Sequence, residues 1–352
     1  MNFLFLNSSD AWGGNEKWTH MAAHAIAKEH NVFLAYQKDI LGNRFTIDKF
    51  KLPFWSEIDL YTISRVVSLV RENKIEVLIP TKQKDYMIAG IASKICGTKN
   101  ILRLGIVRRL KSWHQNIVYN KLPDGIIVNA HRIKDALLEA KFMRAEKIAV
   151  IYNGLDLEKL KNTSPDEGTL KKPFPFLISA MGTLTRRKGF DFLLKGFAHF
   201  LSISHAEDAG LIIIGDGSGM DTLKMLANSL NITERVIFTG FLEDPYPYLG
   251  MSDIFAMTSK NEGISNSLLE AAYLKNALIS TISGGIEEII EHGENGYLIE
   301  YGDVTQLAQC FIELYSNQSR KIELAEKAHQ TVSSTFSLEK MKNEIIRFCT
   351  ER

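Results

Sequence analysis

The chain has 352 residues, enough for two domains of ordinary size. Apolar residues make up 45% and charged residues 24%, the balance of a water-soluble globular protein, and a formal net charge of +1 leaves no global excess to hold nucleic acid. Cys96, Cys310 and Cys349 are far apart and odd in number, no run approaches a membrane-crossing helix, and the apolar start Met1–Leu6 is too short for a signal-peptide core, so a cytoplasmic protein is expected. Asn2–Leu6 reads as a buried strand, then a polar turn ends in Gly13-Gly14 and a helix is expected over Glu16–Lys28. Further strands are expected at Asn31–Tyr36, Glu76–Pro80, Asn100–Val107, Gly125–Asn129 and Ile148–Tyr152, with helices between several of them. Turn chemistry in Thr163–Gly168 and the following Lys171-Lys172-Pro173 predict a linker over Asn162–Pro175. A second alternation follows: Phe176–Ala180, Leu211–Ile214, Val236–Thr239, Ile254–Met257, Ala277–Ser280 and Tyr297–Ile299, with a terminal helix over Ser337–Arg352. Alternating strands and helices predict an α/β protein with two doubly wound, Rossmann-like domains, 1–165 and 174–335, and a tail at 336–352. Such halves are expected to bind ligand in a cleft between them.

The stretch Asn261-Glu262-Gly263-Ile264-Ser265-Asn266-Ser267-Leu268-Leu269-Glu270 sets two carboxylates eight positions apart. A helix expected to start near Gly263 places Glu270 roughly 12 Å beyond Glu262 and about 80° around the axis. Two such acceptors suit hydroxyls at the ends of an elongated ligand, with the positive helix terminus favouring an anionic middle. A nucleotide-sugar has that shape. The same residues also suit a plain amphipathic helix with one first-turn and one solvated Glu.

Gly182-Thr183-Leu184-Thr185-Arg186-Arg187-Lys188-Gly189 follows the first strand of the second half and opens a helix near Phe190. Three cations in a turn suit a developing diphosphate: Lys188 as a point charge, Arg186 or Arg187 as a fork. A basic surface turn is the alternative. Ser283-Gly284-Gly285-Ile286-Glu287-Glu288 is expected to open a helix whose amides approach a phosphate or sugar. Gly215-Asp216-Gly217-Ser218-Gly219 lies after the wrong strand for a dinucleotide site and reads as tight-turn geometry. In the first half, Gly13-Gly14-Asn15-Glu16-Lys17-Trp18 allows close backbone approach, with Glu16 either facing ligand or serving as a first-turn acid. Lys99, Arg103, Arg108, Arg109, Lys111, Trp113 and Lys121 form a basic run with interleaved Trp, read as an acceptor or membrane face or as a solvated surface. His20 and His24 share a helical face without an evident third metal ligand, and no Asp-x-Asp occurs.

The Glu262 segment resembles the Glu-x7-Glu motif of family 4 retaining glycosyltransferases, which have the GT-B fold. Gly182–Gly189 is similar to that family's Gly-Arg-Leu-x-x-x-Lys-Gly, with Lys188 on its Lys but Thr183 where the family has Arg. Arg186 or Arg187 is expected to compensate. Gly284-Gly285 with Glu288 resembles the Gly-Gly-x-x-Glu step, and Gly240-Phe241-Leu242 falls where the family cradles the nucleobase. The resemblance implies Glu262, Lys188 and Arg187 as catalytic residues. It implies Gly14, Gly182, Thr183, Arg186, Phe241, Leu242, Gly263, Ile264, Ser265, Asn266 and Glu270 as donor-binding residues, with Glu262 on the sugar and Glu270 on the ribose. Glu16, Arg103 and Arg108 are implied at the acceptor. No metal or cofactor is implied. The first-domain His of many members has no counterpart, since neither His114 nor His131 matches it. The implied reaction moves a sugar from a nucleoside-diphosphate sugar, UDP preferred to GDP, to a glycan or lipid-linked acceptor of lipopolysaccharide or polysaccharide synthesis, with peripheral contact at the inner membrane face. The resemblance also implies a C-terminal helix crossing back to the first domain. A nucleotide-sugar epimerase of the same fold and a non-catalytic binding partner are the competing readings.

Overall fold

The computed structural model describes residues 1–157, 160 and 171–352. Most of the expected linker, and the boundary at 165, lie outside the described residues. Two compact units are seen, Met1–Gly154 with Ser337–Arg352, and Leu155–Phe336.

The first unit is built on β1 (Asn2–Asn7), β2 (Asn31–Tyr36), β3 (Asp48–Lys51), β4 (Val77–Pro80), β5 (Lys99–Leu104), β6 (Gly125–Val128) and β7 (Ile148–Val150). They form one parallel sheet in the order β3-β2-β1-β4-β5-β6-β7. Runs such as Phe3-Leu4-Phe5-Leu6 are fully buried, as strands covered by helices on both faces must be. The sequence reading missed β3, Asp48-Lys49-Phe50-Lys51. It is an edge strand, largely exposed, where charge is tolerated and discourages pairing with other chains. β5 ends at Leu104 rather than Val107, and the Arg103 guanidinium lies against Gly105 just past its end.

The Leu338–Glu351 helix completes this unit. Met341, Ile345, Phe348 and Cys349 join the cluster of Phe3, Phe5 and Trp18. Lys342 is buried and pairs with the exposed Glu29 and Glu339, and Lys99 Nζ donates to the carbonyls of Cys349 (3.0 Å) and Thr350 (3.1 Å). A cation there complements the negative end of the helix.

The second unit carries β8 (Phe176–Met181), β9 (Ala209–Ile214), β10 (Val236–Gly240), β11 (Ile254–Met257), β12 (Ala277–Thr281) and β13 (Tyr297–Ile299). Its parallel order is β10-β9-β8-β11-β12-β13. The Phe190–Ser204 and Val304–Ser316 helices share one core through Phe197, Phe200, Leu307 and Phe311. Each sheet reverses its strand order beside its first strand, at β1/β4 and at β8/β11. In doubly wound sheets, ligands bind outside the carboxyl ends of the strands at such a reversal.

Candidate active site

At the β8/β11 reversal, two loops are laced together. Leaving β8, Leu184 is anchored by its amide donating to the Asp216 carbonyl (2.9 Å) and its carbonyl accepting from the Gly219 amide (2.9 Å). One 3-10 turn, Arg186–Lys188, follows, and Gly189 turns the chain into the Phe190 helix. The loop after β11 runs alongside: the Lys260 amide donates to the Arg187 carbonyl (2.8 Å), and Thr258 Oγ1 donates to the Gly189 carbonyl (3.0 Å). This contact brings two distant motifs together. Lys188 Nζ lies 2.6 Å from Glu262 Oε1, and Arg187 Nη1 lies 2.8 Å from the same oxygen and 2.6 Å from the Asn261 carbonyl. The Glu262 and Lys188 side chains are only 11% and 14% exposed, against 45% for Arg187. Burial alone would raise the Glu262 carboxyl, but Lys188 and Arg187 outweigh it and hold the group below the usual carboxylate range. The site therefore pairs a desolvated carboxylate with two cations, a set able to meet a hydroxyl and a phosphate side by side.

Residues 175–317 match the family described as glycosyl transferases group 1. The match lies within the second unit, whose residues are therefore similar to that group. Among the chain's relatives, the lipopolysaccharide core biosynthesis glycosyltransferase LpsE of Rhizobium meliloti is 25% identical over 70% of each chain. The Escherichia coli UDP-Gal:alpha-D-GlcNAc-diphosphoundecaprenol alpha-1,3-galactosyltransferase is 21% identical over 82% of this chain and 78% of its own. HepE of Anabaena, solved in complex with UDP-glucose, superposes with a TM-score of 0.85 over the whole of both chains at 22% identity. With two Rossmann-like sheets and a last helix returned to the first unit, the chain has the GT-B fold.

Two local expectations for the second unit are corrected. The helix after β11 begins at Asn266, not near Gly263. Lys260 and Thr258 spend their hydrogen bonds on the Arg187–Gly189 segment, and Ser265 is extended, so Glu262 precedes the helix and Glu270 is buried within it. The geometry of 12 Å and 80° along one continuous helix does not apply. Gly284-Gly285 opens only one 3-10 turn, Ile286–Glu288. Phe241, just past the end of β10, is 52% exposed. The Gly215–Gly219 turn acts as a tight turn that braces Leu184.

Gly284 has a structural duty toward the site. Its φ is +62°, and a Cβ there would stand 1.3 Å from the Glu262 carbonyl oxygen. Gly284→Ala is expected to cost about 3 kcal/mol and to push Glu262 away from Lys188. A thermal-unfolding midpoint and a turnover rate both equal to wild type would refute this.

The first unit gathers polar groups at its own strand reversal. Glu16 is buried on the Gly14–Ala27 helix, with Lys82 Nζ 2.5 Å from its Oε1. Arg103, only 4% exposed, donates to Asn15 Oδ1 (2.8 Å) and Asn153 Oδ1 (3.2 Å) and stacks 4.6 Å from the Trp18 ring centroid. The basic run is therefore not one face. Arg103 is interior, Lys99 caps the last helix, and Arg108 and Arg109 engage Gln83 (2.7 Å) and Glu139 (3.1 Å). His20 and His24 direct their ring nitrogens to the Arg44 carbonyl and to Thr46 Oγ1, each at 3.0 Å. Sequence reasoning missed Lys82 and Asp85. Asp85 Oδ2 accepts from the amides of Ser8 (3.2 Å) and Lys82 (3.1 Å), and burial pushes its carboxyl up to about 6. The signal was an acid three residues into a helix that follows a strand, the mark of a capping box.

Proposed function

We propose that the second unit holds a UDP-sugar at the carboxyl ends of β8 and β11, and that the enzyme transfers the sugar, with retained anomeric configuration and without a metal, to a glycan or lipid-linked acceptor of lipopolysaccharide or polysaccharide synthesis. The observation that carries this reading is the meeting of Lys188 and Arg187 on a single oxygen of Glu262. Glu262 Oε2 accepts from a donor-sugar hydroxyl, while Lys188 and Arg187 face the diphosphate, Arg187 standing in for the Arg that Thr183 replaces. Exposed Phe241, with Leu242, offers the base an apolar surface. Glu270 takes the ribose, and the Gly263–Asn266 segment brings backbone amides to the phosphates. The bond from the anomeric carbon to the phosphate oxygen breaks with its electron pair leaving on the diphosphate. The acceptor oxygen bonds to the same face, and its proton passes to the leaving phosphate. Cations fixed beforehand at that charge stabilise the transition state. UDP is preferred because the E. coli relative is a UDP-Gal transferase and HepE was solved with UDP-glucose. Retention follows the resemblance to the Glu-x7-Glu family. In the first unit, Glu16, Arg103 and Arg108 orient the acceptor, the two interior residues acting through the Gly13-Gly14 turn.

The test is nucleotide release from UDP-sugars. Wild type is expected to release UDP slowly by hydrolysis and faster with an acceptor, and Glu262→Ala to abolish both while keeping its circular dichroism. A wild-type chain that binds UDP, seen as a raised melting midpoint, yet releases none from any UDP-sugar is a non-catalytic partner and overturns the proposal.

A further inference from the structure

The crossing of the loops after β8 and β11 is braced by a side chain that belongs to neither. Tyr301 follows β13, and its ring meets each loop in turn. On the β8 side, a Cβ at Gly189 would stand 3.0 Å from Tyr301 Cε2, so the ring lies against the backbone of that turn. The same ring meets Phe192, in the following helix, at a centroid distance of 5.2 Å and an interplanar angle of 56°. On the β11 side, Lys260 Nζ stands 4.9 Å from the Tyr301 ring centroid. The backbone around Tyr301 is itself fixed. Gln306 Oε1 accepts from the Glu300 amide (2.9 Å), and the Gln306 amide donates to Asp303 Oδ1 (2.9 Å). Phe192 belongs to the core of the unit, whereas the Tyr301 ring is 37% exposed and Lys260 is exposed.

We infer that Tyr301 is a positioning residue for sugar transfer, its aromatic face clasping Lys260 so that the two loops hold Lys188 against Glu262; this rests on the reading of Lys188 and Glu262 as donor-site residues. Exposure creates the need for such a clasp. The Lys260 amide donates to the Arg187 carbonyl, yet both residues are exposed, so water competes for that bond and it holds the crossing weakly by itself. Charge selects an aromatic ring for the task. Lys188 and Arg187 meet Glu262, and Lys260 is a third cation at the same crossing. The negative face of the Tyr301 ring gives Lys260 a partner and leaves Glu262 to the other two. A carboxylate in its place would also hold Lys260, but it would draw on the neighbouring cations and repel a diphosphate. Cover over Phe192 alone would ask for no more than an apolar side chain, so the π face is the feature that separates clasp from packing.

The test compares Tyr301→Leu with Tyr301→Phe. Leu still covers Phe192 but offers Lys260 no π face. Tyr301→Leu is expected to lower kcat for UDP-sugar turnover about tenfold while KM for the donor stays within about twofold, because a small misplacement of fixed charge is felt mainly in the transition state. Tyr301→Phe should keep the wild-type kcat, and both variants the wild-type melting midpoint. Lys260→Met should lower kcat as Tyr301→Leu does, and the double variant should fall no further than the worse single, as expected of two groups that act as a pair. Amide hydrogen exchange at Lys260 reads the clasp without catalysis and is expected to be about tenfold faster in Tyr301→Leu. Wild-type kcat in Tyr301→Leu, an equal loss in Tyr301→Phe, or additive losses in the double variant would overturn the inference. Should the wild type release UDP from no UDP-sugar, the transfer reading fails separately. The exchange measurement then decides the clasp alone: faster exchange in Tyr301→Leu upholds it, and unchanged exchange overturns it.

Discussion

Lys188→Met is expected to lower UDP-sugar turnover by about 10²–10³-fold, the usual cost of removing one fixed stabiliser of developing negative charge. Met preserves most of the volume, so the Phe190 helix should remain in place. Arg187→Ala should cost less, because Arg187 is half exposed and its charge is better screened. The loss should fall on kcat rather than on KM for the donor, since charge on the leaving diphosphate develops in the transition state. Removing Lys188 also leaves a buried carboxylate with one cation in place of two. The Glu262 carboxyl is depressed in the folded protein, so the stability it confers is present above its unfolded pKa, about 4.3, and is lost as pH falls through the lower folded value. The stability difference between wild type and Lys188→Met should thus be full at pH 7 and shrink in acid. Denaturant titrations at both pH values, with steady-state kinetics, decide the matter. Wild-type kcat with reduced stability would make Lys188 a structural partner of Glu262 only.

The strand framework was legible because parallel strands covered on both faces must be continuously apolar, and Asn31–Tyr36, Ile254–Met257 and Tyr297–Ile299 begin and end where the sequence places them. What escaped was set by tertiary contact. β3 is charged because it is an edge, and the helix after β11 starts late because its loop is tied to residues some 70 positions earlier. The motifs around Lys188 and Glu262 were both visible, but their ion pair was not, since no local pattern reports which loop ends a parallel sheet brings side by side. In the first unit, Arg103 read as part of a surface run. Only the fold shows it over Trp18, with its terminal nitrogens donating to Asn15 and Asn153.

Deleting residues 337–352 is expected to leave the first unit unfolded although its own seven strands are intact. Met341, Ile345 and Phe348 are each at most 7% exposed. Burying such side chains contributes about 1.5–3 kcal/mol apiece, so their joint loss rivals the 5–15 kcal/mol that holds a typical domain together. The deletion also uncovers the cluster around Phe3, Phe5 and Trp18, which favours aggregation. A graded version separates packing from chain length: Ile345→Ala should cost about 2–5 kcal/mol with the helix still present. The measurement is hydrogen exchange, in which amides of β1, β4 and β5 should lose protection in the truncated chain while those of β8, β9 and β11 keep theirs, because the second unit's core contains no residue beyond Phe336. Protection retained throughout β1, β4 and β5 would show that the last helix covers a sheet already stable without it.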